Sequence, residues 1–92
     1  MKIVADMSLY PLKDGPVPTI IEFIEELREQ PGIEIVTNQL SSQLRGEFEA
    51  VTSAINHCMR KAMAASNTVV LVVKYLNIDV ELGRAPSLTP DV

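Results

Sequence analysis

The chain has 92 residues, is 47% hydrophobic and contains two Phe, two Tyr and no Trp, a composition that predicts one domain with an aliphatic core. The formal net charge is −4 and the eight basic residues are scattered, which argues against a nucleic-acid partner because phosphate binding needs clustered Lys and Arg. A single cysteine, Cys58, excludes an intrachain disulfide framework and a paired-cysteine redox or metal motif.

No apolar run approaches the roughly 20 residues of a membrane-spanning helix. Met1 leads directly into a strand-like segment, without a secretory hydrophobic region. These features predict a cytoplasmic protein with no membrane partner.

The first predicted element is a strand over residues 3–12. Side chains alternate along a strand, so one face of this segment is uniformly apolar. The other face mixes an aliphatic group with an acid, a hydroxyl and a phenol, namely Val4, Asp6, Ser8 and Tyr10. Pro11 ends regular pairing because it has no N–H to give to a ladder.

A loop over residues 13–18 precedes a helix that ends at Pro31-Gly32. Pro18 suits a first helical position, whereas Thr19 and Glu22 have the spacing of a capping box, so the starting residue is left open. Apolar residues recur at helical spacing at Ile20, Ile21, Ile24 and Leu27.

Two short strands follow, over residues 33–38 and 40–46, joined by a hairpin turn at Asn38-Gln39. A second helix over residues 47–65 has an apolar stripe and ends at Ser66-Asn67. The run TVVLVVKYLN (residues 68–77) is the most strand-like in the chain.

The predicted order is strand, helix, strand, strand, helix, strand, which is typical of an α+β ferredoxin-like βαββαβ sandwich. Such a fold has a four-stranded antiparallel sheet, with strands one and three central and both helices on one face. We assign this domain to residues 1–80 and an extended or disordered tail to residues 81–92.

The second sheet face is bare in such a fold. Here it would carry Val4 and Val36 together with either Val69, Leu71 and Val73 or the alternate residues of that strand. A bare apolar face predicts self-association into a dimer or tetramer.

The fold hosts many functions, so absent motifs are informative. The third strand lacks the aromatics that stack RNA bases, and the loop after strand one lacks paired cysteines and a phosphate-binding Arg. No base–nucleophile pair is evident, so we predict a protein that is not an enzyme and needs no cofactor or metal.

The only histidine, His57, is interpreted as structural or solvent-facing, and the only cysteine, Cys58, as a core residue. A metal site needs several convergent ligands, and a lone cysteine in an apolar helical stripe is more often a small core residue than a nucleophile.

Asp6 is more informative, because an acid in a central strand is costly unless it is paired or near solvent. It could pair with Lys74 on the last strand, or it could line a small polar pocket with Tyr10. Asn38, Ser41 and Ser42 could cap the hairpin turn, or they could offer amide and hydroxyl groups to a ligand. An anion, an aromatic face and neutral donors suit a cationic heteroaromatic molecule.

Two segments carry a resemblance to a known family. The segment MSLYPL (residues 7–12) and the hairpin TNQLSSQLRGE (residues 37–47), followed by an Ala-rich helix, resemble the small thiamine-binding, YkoF-like family. The likeness spans residues 1–79. It implies a ferredoxin-like domain that assembles through its sheets and binds thiamine or its hydroxymethylpyrimidine part in thiamine supply.

By position, the resemblance implies that Ser8, Tyr10, Asn38 and Ser42 bind the ligand, with Asp6 added from the strand pattern. Ser42 stands where relatives often have Thr, which keeps the hydroxyl. Gln43 and Arg45 depart from the more apolar or acidic residues expected there. The alternative is an oligomeric structural or regulatory module without a small ligand.

Overall fold

The computed structural model describes residues 1–65 and 68–89. It has the predicted βαββαβ order, and its elements are β1 (Lys2–Pro11), α1 (Val17–Arg28), β2 (Ile33–Thr37), β3 (Ser42–Glu47), α2 (Phe48–Ala64) and β4 (Val69–Leu76). The predicted α+β ferredoxin-like fold is therefore confirmed.

The four strands form one antiparallel sheet in the order β2-β3-β1-β4, with strands one and three central as predicted. The ladder between β1 and β3 runs from the pair Lys2 and Glu47 to the pair Met7 and Ser42. The ladder between β1 and β4 continues further, to the pair Pro11 and Val69. Consequently β1 extends past β3 over residues 8–11.

The two helices cover one face of the sheet, and the core lies between this face and the helices. The apolar face of β1 contributes Ile3, Ala5, Met7 and Leu9, each at most 7% exposed. Leu27 on α1 and Ile55 on α2 are buried against this face. Burial of each large aliphatic side chain stabilises the fold by about 1.5–3 kcal/mol.

The register of β4 decides which of its residues lie on the open face. Val73 is opposite Met7, so Val69, Leu71 and Val73 share the covered side of the sheet. The alternate residues lie on the open side with Val4, and they are 43–47% exposed at Val70, Val72 and Leu76. The sequence pattern left this choice open.

Helix α1 begins earlier than a capping box at Thr19 would require. Its N-cap is Pro16, and no side chain in the described residues caps it. The first helical hydrogen bond runs from the N–H of Ile20 to the carbonyl of Pro16. The capping-box interpretation is wrong because the preceding loop already places the chain in helical conformation at Val17.

Strand β3 begins at Ser42, two residues after the predicted start at Leu40. The side chain of Asn38 holds the backbone of residues 40 and 41 in a turn, so these residues cannot join the ladder. Leu40 is 89% exposed. In the sequence, its apolar side chain continues the alternating pattern of a strand, which explains the early predicted start.

The predicted end of helix two at Ser66-Asn67 lies outside the described residues, as do Pro90 to Val92 of the predicted tail. Residues 77–89, which the structure does describe, form neither helix nor strand. The domain boundary at residue 80 stays a prediction. No helix in the described ranges has the length and apolar character needed to cross a bilayer.

Candidate functional site

The candidate site lies where β1 extends past β3. Over residues 8–11, one backbone edge of β1 pairs with β4, and no strand of the described chain pairs with the other edge. The loop that joins β2 to β3 approaches this edge, and the Ser8 hydroxyl donates a hydrogen bond to the Leu40 carbonyl at 3.3 Å. The offset between the two strands thus leaves a gap at one end of the sheet.

A cavity of about 230 Å³ occupies this gap, and we name it the hairpin cavity. Three parts of the chain line it: the end of β1, the inner side of α1 and the β2–β3 hairpin. Its lining includes four of the five predicted site residues, namely Ser8, Tyr10, Asn38 and Ser42. The fifth, Asp6, lies on β1 next to the cavity and contacts its lining residue Ser41.

Asn38 shapes the hairpin through its side-chain oxygen. Its Oδ1 accepts hydrogen bonds from the N–H groups of Leu40 at 2.9 Å and Ser41 at 3.0 Å, as a turn-capping residue does. Its Nδ2 has a long 3.4 Å contact with Gln43 Oε1. The oxygen of this amide is therefore engaged in the turn, whereas its NH₂ group has hydrogen-bonding capacity for a ligand.

Asp6 is the centre of a compact polar network. Its Oδ1 accepts hydrogen bonds from the Ser41 hydroxyl at 2.7 Å and from Gln43 Nε2 at 2.9 Å. Gln43 Nε2 also donates to Ser41 Oγ at 2.7 Å. The hydrogen bonds from Gln43 and Ser41 lower the pKa of Asp6, with a smaller contribution from the charge of Lys74. The carboxyl group is therefore ionised at neutral pH.

Lys74 is the cross-strand neighbour of Asp6, as the pairing alternative requires. Within the described residues, however, the two side chains form no ion pair within 4 Å, and the hydrogen bonds to Asp6 come from the neighbouring hairpin. Gln43 on β3 supplies one of them.

The predicted site residues Tyr10 on β1 and Ser42 on β3 differ in burial. Ser42 is only 6% exposed, and its hydroxyl shares a 2.9 Å hydrogen bond with Thr37 Oγ1. Tyr10 is 53% exposed, so much of its side chain is accessible to a planar partner. The site thus combines a buried Ser42 hydroxyl, paired with the exposed Thr37, with an accessible aromatic side chain.

The five predicted site residues do not include those that form the apolar wall of the hairpin cavity. This wall comes from α1, at Ile20, Phe23 and Ile24. Their helical spacing predicts burial against the sheet, but it carries no sign that the sheet is incomplete beneath them. No group of three or more acidic, His or Cys side chains in the described part of the chain could hold a metal ion.

A second cavity, of about 220 Å³, lies on the other side of Phe23, and we name it the helix cavity. It lies between α1 and the last turns of α2, and Cys58 and Val69 contribute to its lining. Cys58 is 1% exposed, and burial raises its thiol pKa to about 11, so it is an inert core group at neutral pH.

Charged groups meet at the rim of the helix cavity. The carboxylate of Glu26 accepts a hydrogen bond from Lys61 Nζ at 2.8 Å and contacts His57 Nε2 at 3.2 Å. These two partners lower the pKa of Glu26, Lys61 more than His57. His57 therefore links α2 to α1, which agrees with its structural interpretation.

The fold and the hairpin cavity define a ferredoxin-like domain with a recess of small-molecule size, lined by both apolar and polar side chains. The family model described as the YKOF-related family matches residues 2–79. The chain belongs to this family, and the resemblance inferred from the β1 and hairpin segments is confirmed. No curated protein shows a significant match to the chain.

Solved structures share the fold at low sequence identity. A Streptococcus pneumoniae protein is 22% identical with a TM-score of 0.79, over 87% of this chain and 90% of that one. A hypothetical protein from Methanocaldococcus jannascii is 20% identical with a TM-score of 0.71, over 95% and 88%. A Thermotoga maritima protein, provisionally assigned to thiamine biosynthesis or salvage, is 18% identical with a TM-score of 0.62, over 94% and 90%.

Proposed function

We propose that this protein is a non-enzymatic binder of thiamine or a hydroxymethylpyrimidine-like molecule, serving in thiamine supply. Family membership and the provisional role of the Thermotoga maritima neighbour support the thiamine-related class. The observation that carries the proposal is the hairpin cavity, whose lining includes the β1 residues Ser8 and Tyr10 and the hairpin residues Asn38 and Ser42.

An aminopyrimidine ring offers ring nitrogens that accept hydrogen bonds, an amino group that donates them and two apolar faces. In the proposed complex, Tyr10 stacks on one face and the NH₂ group of Asn38 donates to a ring nitrogen. Ser8 and Ser42 present hydroxyl groups to the polar edge. The ionised carboxylate of Asp6 balances the cationic or amino part of the ligand from beside the cavity.

The primary test is calorimetric titration with thiamine and, separately, with hydroxymethylpyrimidine. We expect micromolar binding of at least one of the two molecules. Absence of binding by a folded protein, with both molecules, would exclude this ligand class.

Variants of Asn38 and Asp6 test the site assignment. Asn38→Asp retains the side-chain oxygen that caps the turn and removes the NH₂ donor. This variant and Asp6→Ala should each weaken binding by roughly 1–3 kcal/mol, the first because a ring nitrogen of the ligand loses its donor and the second because its cationic or amino part loses a nearby carboxylate. Asn56→Asp makes the same chemical change at an exposed position of α2 and should leave the affinity unchanged. Unchanged affinity in both site variants would refute the assignment.

The absence of catalysis is part of the proposal. The Ser8 hydroxyl donates to a carbonyl and the Ser42 hydroxyl is paired with Thr37, so neither is activated by a neighbouring base within the described residues. Thiamine incubated with the protein should be recovered unchanged by mass spectrometry. Any protein-dependent conversion would overturn this part of the proposal.

A second candidate function is that of an oligomeric interaction module. The open sheet face presents Val70, Val72 and Leu76 to solvent, and β4 is an edge strand. Apolar exposure at an edge strand favours pairing with a second copy of the chain. We therefore propose self-association through the sheet into a dimer or tetramer.

Analytical ultracentrifugation of Val72→Glu tests this association, because the variant places a charge on the proposed interface. The dissociation constant should rise at least about tenfold, as expected when a charge is buried without a partner. Val17→Glu, at an exposed site on α1, is the matched control. An oligomer that is unaffected by Val72→Glu would argue against this face, and a monomeric wild type would exclude the module.

A further inference from the structure

Phe23 contributes to the lining of both the hairpin cavity and the helix cavity. Its neighbours on α1 divide between the two cavities. Ile20 and Ile24 line the hairpin cavity, whereas Thr19 and Glu22 line the helix cavity. Phe23 itself is only 6% exposed. Its side chain therefore forms a shared wall between two recesses that flank one helix.

The two recesses have similar volumes, about 230 Å³ for the hairpin cavity and about 220 Å³ for the helix cavity. Each is below the roughly 300 Å³ at which sites for drug-sized ligands begin. A ligand confined to the hairpin cavity must therefore be small. A second ring that is also to be buried would find space in the helix cavity, on the far side of Phe23.

We propose that Phe23 determines which ligand size the site accepts, by closing the hairpin cavity against the helix cavity. This inference rests on the proposed function and assigns a preference within it. With Phe23 in place, a single-ring hydroxymethylpyrimidine fits better than the two-ring thiamine. Removal of the phenyl ring joins the two recesses and relaxes this preference.

The helix cavity offers apolar surface to a second ring. Apolar side chains of Cys58, Ala62 and Val69 contribute to its lining, and Glu22 and Glu26 contribute carboxylates. The charge of Glu26 is already balanced by Lys61 at 2.8 Å. Lys13 also contributes to the lining, so the formal charges of its two Lys and two Glu residues balance.

The test is the ratio of the dissociation constants for thiamine and hydroxymethylpyrimidine, measured by calorimetry for wild type, Phe23→Ala and Phe23→Leu. Wild type should bind hydroxymethylpyrimidine more tightly. Phe23→Ala should shift the ratio toward thiamine by about tenfold or more, a range typical of changes in pocket size, and Phe23→Leu should shift it less. Tighter thiamine binding by wild type, or an unchanged ratio in a folded Phe23 variant, would overturn the proposal.

Two matched variants distinguish the loss of the shared wall from the enlargement of a single cavity. Ile24→Ala enlarges only the hairpin cavity, and Val69→Ala enlarges only the helix cavity. Neither removes the shared wall, so neither should shift the ratio as far as Phe23→Ala. An equal shift in Val69→Ala would overturn the assignment to Phe23.

Benzene binding provides a readout that does not depend on the proposed ligands, since an apolar cavity opened in a core takes up benzene. In Phe23→Ala, or in Phe23→Leu should the alanine variant not fold, benzene should shift the amide resonances of Asn38 and Ala62 with one common dissociation constant. If neither pyrimidine ligand binds wild type but benzene gives this result, the proposed function fails and the shared wall stands. Amide resonance shifts confined to one cavity would overturn the assignment of Phe23 as the shared wall.

Discussion

The two ends of the β-sheet are held together by different interactions. At the end where β1 begins, the N-terminal ammonium group contacts Glu47 at 3.0 Å and Arg45 contacts Asp79 at 2.8 Å. At the end where β1 stops, hydrogen bonds from the hairpin hold the Asp6 carboxylate and the turn at Asn38. We refer to these as the closed end and the open end.

The difference follows from the strand ladders. At the closed end, β1 and β3 are paired from Lys2 onward, and Val4 on the open face is only 5% exposed. At the open end, β1 continues without β3, and a cavity takes the place of the strand. Exposed ion pairs tolerate movement and contribute little to stability, whereas short, directional hydrogen bonds fix positions closely. Fixed polar groups next to an open volume are a suitable basis for recognition.

The largest expected effect compares two leucines of the β2–β3 hairpin. Leu44 in β3 is fully buried, so Leu44→Ala should lower the free energy of unfolding by about 2–5 kcal/mol. Leu40 in the open-end loop is 89% exposed, so Leu40→Ala should change it by less than about 0.5 kcal/mol. Urea denaturation measures both. A large loss in Leu40→Ala would show that the open end is needed for stability.

The next effect lies near the closed end, at Gly46. A Cβ atom at this position would lie 2.7 Å from the Gly32 carbonyl oxygen, a backbone atom that cannot move independently. Gly46→Ala should therefore destabilise the fold by roughly 1–3 kcal/mol, as overpacking does. Thermal unfolding would measure this loss. Wild-type stability would mean that β2 can move away from β3 at little cost.

Asp6→Asn tests the network at the open end and should have a smaller effect. The variant retains an acceptor for Ser41 and Gln43 but removes the charge, which should cost about 1 kcal/mol at pH 7. The same hydrogen bonds lower the pKa of Asp6 below 3.8 in the folded protein. The unfolded chain then binds more protons near that pH, so this stabilisation is complete above pH 3.8 and is lost as the pH falls through the folded pKa.

Denaturation of wild type and Asp6→Asn at several pH values measures this dependence. The difference in unfolding free energy should be largest at neutral pH and shrink as the pH falls below 3.8. A difference that stays constant down to the acid limit would contradict the charged network.

The smallest effect distinguishes the two ends by their response to salt. Arg45 lowers the pKa of Asp79 through an exposed ion pair, which salt screens. The stability difference between wild type and Asp79→Asn should therefore nearly vanish in 1 M NaCl. The corresponding difference for Asp6→Asn should persist, because its hydrogen bonds are short-ranged. Equal salt responses would remove the distinction between the two ends.

The sequence predicts the fold well because each element has a clear periodicity. Alternation in residues 3–12 and the apolar stripe of α2 define elements whose type does not depend on distant contacts. The errors occur where local and tertiary signals compete. Leu40 extends an alternating pattern, yet Asn38 holds that backbone in a turn. Thr19 has capping spacing, yet the Pro16 region begins the helix earlier.

The candidate site is only partly predictable from the sequence. The β1 pattern and the family resemblance indicate the polar residues, and the structure places Ser8 and Asn38 in the same cavity. The cavity itself depends on the offset between β1 and β3, which is a relation between distant segments. Similarly, cross-strand pairing correctly makes Lys74 a neighbour of Asp6, but the loop geometry decides that Ser41 and Gln43 donate the hydrogen bonds.

The strand offset has a consequence for how ligand preference can diverge within one scaffold. Pairing between β1 and β3 begins only at Met7 and Ser42, so the turn before Ser42 can gain or lose residues without altering the register behind it. Such changes would reshape the recess while the core packing stays the same. The length of the hairpin turn can therefore vary while the β1–β3 ladder is kept, and such changes offer a route to new ligand specificities.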